Sequence, residues 1–84
     1  MEIDGKLNSV FVQIRCKPGK TYEVADELYN KEICSELFST SGEWDLLAKI
    51  YPPKGQDIGI FLNKHVGGIE GVERTLTTMT FKAF

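Results

Sequence analysis

The chain has 84 residues, 42% of them hydrophobic and 26% charged, which is typical of one globular domain and excludes the disordered and fibrous classes. A domain this small buries only about 60 to 65% of the surface of its unfolded chain, so a second chain packed against it would add stability. Ten Lys and Arg stand against twelve Asp and Glu, a formal net charge of −2, so the chain lacks the basic excess needed to hold nucleic acid by itself.

At the start of the chain, residues 1–8 are polar and include Glu2 and Asp4. They have neither the apolar core nor the basic start of a secretory signal, and no apolar run in the chain approaches the roughly 18 residues of a membrane-spanning helix. We expect a cytoplasmic protein with no membrane partner that handles a small molecule or another protein.

The first predicted strand is 9–16, where apolar and other residues alternate. One face carries Val10, Val12, Ile14 and Cys16, and the other carries Phe11, Gln13 and Arg15. After the break at 17–20, helical spacing of Val24 with Leu28 and of Ala25 with Tyr29 predicts a helix over about 20–30, with Thr21 as its cap.

A β-hairpin is predicted next. Residues 32–40 are rich in β-compatible types and lead through Ser41 and Gly42 into a second alternating run. In that run Trp44, Leu46, Ala48 and Ile50 face one way, and Asp45, Leu47, Lys49 and Tyr51 face the other. Gly42 is placed in the turn, where glycine permits a positive φ, and Trp44 is expected to start the buried row.

A second helix follows the break at 52–55 (PPKG), because apolar residues recur at steps of three and four: Ile58, Phe61, Leu62, His65, Val66 and Ile69. It is expected to end at Gly67 and Gly68 with a residue in the left-handed conformation. A last β-rich run, 71–84, completes the order βαββαβ. This order predicts an α+β, ferredoxin-like fold with a four-stranded antiparallel sheet and two helices on one face.

The sheet face away from the helices does not look polar. Phe11, Leu47 and Tyr51 fall opposite the better apolar rows, and the last strand has Met79 and Phe81 on one side and Leu76 on the other. Contiguous exposed apolar area usually marks an interface, so we predict that two chains stack sheet against sheet as a dimeric α/β barrel or sandwich.

Cys16 and Cys34 are too few and too far apart for a disulfide scaffold or a zinc site. Both fall in apolar, strand-like contexts, so they are expected to be buried, reduced thiols. No metal and no cofactor is expected.

The turn segment 41–47 (SGEWDLL) has two interpretations from its chemistry alone: Asp45 either bonds the turn backbone or belongs to a site. Together with the punctuated second helix and the strand 71–78 (GVERTLTT), this segment resembles the effector-binding domain of the Lrp/AsnC transcription regulators, also called the regulation of amino-acid metabolism (RAM) domain. That domain carries a T/S-G-x-aromatic-D turn and a terminal G-V-x-x-T-x-T strand. The resemblance spans about residues 8–82.

The resemblance implies an amino-acid-sensing module that forms a homodimer and a higher oligomer such as an octamer of four dimers, with effector bound between dimers. The positions carried over as effector-binding are Ser41, Gly42, Glu43, Trp44, Asp45, Thr75 and Thr77. Asp45 is a suitable partner for the ammonium of an amino acid, and the Gly42 backbone permits close approach. Thr75 and Thr77 are equally well explained as ordinary strand residues.

One departure from the family pattern concerns DNA binding. Full regulators place a helix-turn-helix domain before this module, whereas here eight residues precede the first strand. We therefore expect 1–84 to be a single stand-alone module without direct nucleic-acid binding. It would sense or buffer a metabolite, or join a full-length relative in a mixed assembly.

Two other classes stay open. The dimeric α+β barrel frame also hosts cofactor-independent monooxygenases and haem-degrading enzymes that use Asn, Trp and His, and this chain has Asn63, Trp44 and His65. Residues two apart on a helix point about 200° apart, however, so Asn63 and His65 do not easily share a pocket, and a packed histidine is expected. With no nucleophile near a base, no paired acids and no phosphate loop, the expectation is a non-enzyme. A purely structural partner for another protein is the third possibility.

Overall fold

The computed structural model describes residues 9–84, so the N-terminal segment 1–8 lies outside the described residues. The elements are β1 (Val10–Cys16), α1 (Thr21–Lys31), β2 (Cys34–Ser39), β3 (Leu46–Ile50), α2 (Ile58–Leu62) and β4 (Val72–Met79). One π-helical turn, Asn63–Gly67, continues α2 directly. The predicted order βαββαβ is confirmed.

The four strands form one antiparallel sheet in the order β2-β3-β1-β4. β1 is central: Val12 lies opposite Ala48 of β3 and Thr77 of β4. Each helix therefore connects two strands that are not adjacent in the sheet, which is the split βαβ arrangement of a ferredoxin-like fold.

The core lies between the sheet and the two helices. Its buried side chains alternate along β1 and β3, as the sequence predicted, and are joined by the apolar stripes of both helices: Val10, Val12, Ile14, Cys16, Leu46, Ala48, Ile50, Val24, Leu28, Phe61, Leu62, Val66 and Ile69. Because the helix residues belong to the same cluster as one strand face, both helices cover that face.

The other side of the sheet, called here the open face, consists of residues that are register partners across the strands: Glu36, Phe38, Leu47, Lys49, Phe11, Gln13, Arg15, Arg74, Leu76 and Thr78. The prediction that Phe11 and Leu47 point away from the core is confirmed, and Phe38 and Leu76 add to the apolar area. Met79 instead pairs with buried Val10 and so lies on the helix side. The open face mixes apolar and charged side chains.

Two local predictions are wrong. Lys20 holds the cap position of α1, without a side-chain hydrogen bond, and Thr21 is the first helical residue. The helix starts directly after the turn at Gly19, so Thr21 comes one residue too late to cap it. Trp44 does not start the buried row: β3 begins at Leu46, and Trp44 is half-buried before it.

The second helix ends at Gly67 as expected, but neither glycine there is left-handed; Gly68 has φ −84°. A Cβ at Gly68 would lie 3.2 Å from the carbonyl oxygen of Asn63. Glycine at position 68 therefore allows the backbone to pass close to the Asn63 carbonyl. The left-handed residue comes later, at Gly71, where φ is +99°.

Both cysteines are free thiols; Cys16 is buried and Cys34 half-buried. Burial raises the pKa of the Cys34 thiol. Burial also raises the pKa of Cys16, against a hydrogen bond with Thr21 that lowers it, and the charge of Asp45 raises it further. Within residues 9–84, no helix is long and apolar enough to cross a membrane.

Candidate functional site

The turn between β2 and β3 is closed by its own hydrogen bonds. Gly42 has φ +91°, as the sequence predicted. The Thr40 amide donates to the Asp45 carbonyl at 3.0 Å, and the Thr40 hydroxyl donates to the Trp44 carbonyl at 2.9 Å. These bonds fix the backbone on which Glu43, Trp44 and Asp45 are presented.

Asp45 attaches this turn to the end of β1. Its Oδ2 accepts a hydrogen bond from the Cys16 amide at 2.8 Å, and its own amide donates to the Ile14 carbonyl at 2.9 Å. The backbone-bonding interpretation of Asp45 is therefore realised, across strands rather than within the turn. A carboxylate has about four acceptor positions, so this bond leaves capacity for a second partner.

We expect Asp45→Ala to lower the free energy of unfolding by about 1 to 3 kcal/mol, because the part-buried Cys16 amide loses its acceptor. Asp45→Asn retains an acceptor oxygen at the same position, so its cost should stay below about 1 kcal/mol. Urea denaturation of both variants measures the difference. Equal losses in the two variants would show that the charge, and not the hydrogen bond, stabilises this link.

Two arginines converge on Glu43. The Nη2 atom of Arg74 lies 2.6 Å from Glu43 Oε2, and Arg15 donates from Nη1 to the Glu43 carbonyl at 3.1 Å. The guanidinium carbon of Arg74 also lies 5.1 Å from the centroid of the Trp44 ring, within cation–π range. The turn and the ends of β1 and β4 thus form one polar cluster next to the ring of Trp44.

The strand register explains why a carboxylate is favourable next to these two arginines. Arg15 of β1 and Arg74 of β4 are direct cross-strand partners on the open face. Like charges directly opposite each other on a sheet are destabilising, and the Glu43 carboxylate offsets that repulsion. Sequence analysis missed both arginines as members of a site. Their alternation on the open face was visible, but the pairing of β1 with β4 was not.

The predicted effector residues fall into two groups. Ser41, Gly42, Glu43, Trp44 and Asp45 are together in the turn. Thr75 and Thr77 are register partners of buried Ile14 and Val12, so they lie on the helix side of β4 and are exposed there. The structure does not bring the two threonines next to the arginine cluster, and their role in binding stays a prediction.

His65 is placed as a packing residue. It is half-buried, and its ring centroid lies 4.6 Å from that of Phe61 at a tilt of 45°. Among the described residues, no group of His, Cys, Asp or Glu is arranged to hold a metal ion.

The four-stranded antiparallel sheet with both helices on one face places the chain in the ferredoxin-like class of α+β domains. The Lrp/AsnC ligand binding domain family matches residues 9–84, and the chain belongs to this family.

Curated relatives agree with this assignment. The HTH-type transcriptional regulator FL11 of Pyrococcus furiosus is 38% identical over 72 residues, which are 86% of this chain and 47% of that protein. The HTH-type transcriptional regulator LrpA of Pyrococcus abyssi is 33% identical over 58 residues, 69% of this chain and 41% of that protein. The chain spans about half the length of the curated relatives it matches.

Solved structures share the fold. TTHA0845 from Thermus thermophilus superposes with a TM-score of 0.82 at 24% identity, covering 93% of this chain and 98% of that one. E. coli AsnC superposes with a TM-score of 0.84 at 17% identity, covering 99% of this chain and 60% of that one. The predicted family resemblance and fold class are confirmed.

Proposed function

We propose that this domain is a regulatory sensor that binds an amino acid or a related small metabolite at the turn 41–45. The observation that carries the proposal is the Asp45 carboxylate, half-buried and held in place by the backbone of β1. A Cβ built on Gly42 meets no atom within 4 Å, so the turn is open to a ligand there. Membership of a ligand-binding domain family supports the same function.

The chemistry of the turn suits a zwitterion. Asp45 offers a fixed negative charge to an ammonium group, and a charge-assisted hydrogen bond gains strength where water is partly excluded. Arg15 and Arg74 offer guanidinium groups to a carboxylate within the same cluster. Both signs of charge therefore occur at one end of the sheet.

The same proposal includes self-association through the open face. Its apolar side chains are well exposed, with Phe38 at 51% and Leu76 at 50%. The Lys49 ammonium lies over the rings of Phe11 and Tyr51, at 6.0 and 5.6 Å from their centroids. A second copy covering this face would remove apolar area from water, and the resulting dimers can assemble further or with a full-length relative of the family.

We infer that the domain acts by binding rather than by catalysis. Its matched relatives are named as transcriptional regulators, and the His65 ring packs against Phe61. A haem titration tests the competing enzyme class directly. A sharp Soret band with stoichiometric binding would favour the haem enzyme and contradict this inference.

A thermal-shift screen against the twenty amino acids tests the sensor function. A ligand at 100 times its dissociation constant adds about 2.7 kcal/mol to the stability of the folded state, so the melting temperature should rise by several degrees. Asp45→Asn should abolish the rise while melting near the parent temperature, because it keeps the bond to Cys16 but loses the charge. A shift that survives in Asp45→Asn would exclude Asp45 as the ammonium partner.

A further inference from the structure

Arg15 and Arg74 lie at the end of the open face, beside the turn 41–45, and this pair carries an inference that rests on the proposed function and deepens it. We propose that Arg15 and Arg74 form a receptor for the carboxylates of an acidic amino acid. In the ligand-free domain Glu43 occupies this receptor, and the ligand displaces the Glu43 side chain. Glu43 would then act as an internal competitor that sets the affinity of the sensor.

Both guanidinium groups reach the same turn residue. Arg15 and Arg74 are direct register partners, and a β-bulge lies between Arg15 and Cys16 at the end of this pairing. Both arginines contact residue 43, one at its carbonyl and one at its carboxylate. Each guanidinium has five N–H donors, more than these contacts use, so the pair has donors for further carboxylate oxygens.

Glu43 is suited to being displaced. Its side chain is 58% exposed and that of Arg74 54%, and ion pairs at such exposed positions contribute little to stability. Glu43 also follows Gly42 in an exposed turn, and a Cβ built on Gly42 would meet no atom within 4 Å. Releasing the contact between Glu43 and Arg74 therefore disturbs no buried group.

Charge complementarity selects the ligand class. The cluster contains two arginines and two carboxylates, those of Glu43 and Asp45, so a ligand that displaces Glu43 keeps the charges balanced only if it carries one net negative charge. An α-amino acid with a second carboxylate brings two negative groups for the two arginines and one ammonium for Asp45. A neutral amino acid has only one carboxylate. When it displaces Glu43, one of the two arginines is left without a carboxylate from the ligand.

The chain contains its own reporter of the displacement. Trp44 is its single tryptophan, and the Arg74 guanidinium lies over its ring. When Arg74 turns from Glu43 to a ligand, the charge above the indole moves and the emission of Trp44 changes. Fluorescence titration therefore measures binding at this site without a label.

The test titrates the parent domain with glutamate and aspartate, with glutamine and asparagine as neutral isosteres, and with inorganic phosphate as a simple anion. We expect at least about tenfold tighter binding of one acid than of its amide, since a good charge pair contributes about that factor or more. Glu43→Gln should tighten binding of that acid several-fold because the competitor is lost. Arg74→Gln should weaken it at least about tenfold.

Lys64→Gln is the matched control. Lys64 is an exposed cation of the π-helical turn, in the helix layer and away from both the turn 41–45 and the open face. Its loss should leave acid binding within about twofold of the parent, because a change in overall charge alone has only a screened effect. Equal losses in Lys64→Gln and Arg74→Gln would overturn the receptor.

The outcomes separate this inference from the proposed function. If glutamine and glutamate bind equally and Glu43→Gln does not tighten either, the arginine receptor is wrong while the sensor function stands. Phosphate that competes as well as the acids do would overturn the amino-acid class of the ligand. Failure of all twenty amino acids to bind would overturn both proposals.

Discussion

Among the glycines of residues 9–84, Gly71 should be the one least tolerant of alanine, with a loss of about 2 to 4 kcal/mol in the free energy of unfolding for Gly71→Ala. Gly71 has φ +99°, a conformation that residues with a side chain rarely adopt. A Cβ there would lie 3.0 Å from Cγ2 of Val24 and 3.2 Å from Cβ of Lys20. Strain and overlap act together because Val24 is fully buried in the core and has little room to move.

Gly55→Ala separates these two causes. Gly55 has φ +81°, but a Cβ there meets no atom within 4 Å. This variant should lose only the conformational part, about 1 to 2 kcal/mol. Urea denaturation of both variants gives the two losses. If they are equal, the contact of Gly71 with Val24 and Lys20 does not limit that position.

Leu76→Lys should dissociate the proposed dimer. Leu76 is half-exposed on the open face and is the register partner of Gln13 at the centre of the sheet. Burying an unpaired ammonium against the apolar side chains of a second copy is expected to weaken self-association about 100-fold or more, which is about 2.7 kcal/mol or more. Light scattering at micromolar concentration should find the parent as a dimer or larger and the variant as a monomer.

Ile60→Lys is the control for Leu76→Lys. Ile60 is 69% exposed, but it lies on α2, in the helix layer on the opposite side of the domain. The same apolar-to-charged change there should leave the sheet-to-sheet dimer intact. A well-folded parent that scatters as a single subunit would contradict self-association, and a dimer lost only in Ile60→Lys would place the interface on the helices.

At the polar end of the sheet, the sequence predicted the turn, and only the tertiary structure showed what the turn contacts. The segment 41–47 marked a turn with Gly42 at positive φ, and the structure has that turn. What the turn contacts was not visible, because Glu43 meets Arg74 and Asp45 meets Cys16 from strands about 30 residues away in either direction. These contacts depend on strand register, which local periodicity does not encode.

In the second helix, too, the sequence predicted some features and only the structure showed others. Steps of three and four residues predicted which side chains of the second helix are buried, since that spacing sets one helix face. The π-helical turn at Asn63–Gly67 and the non-left-handed end at Gly68 were not predicted. At this end residue 68 lies close to the Asn63 carbonyl, a contact that only the folded backbone defines.

The sequence by itself determined the order of elements, the buried rows of β1 and β3 and the family of the domain, because alternation, helical spacing and short motifs are local properties of the chain. The tertiary structure alone decided that Arg15 is paired with Arg74, that both contact Glu43 and that Thr75 and Thr77 lie on the other side. The physical reason is register: antiparallel pairing of β1 with β4 joins residues about 60 positions apart, and a shift of one residue would exchange the two faces.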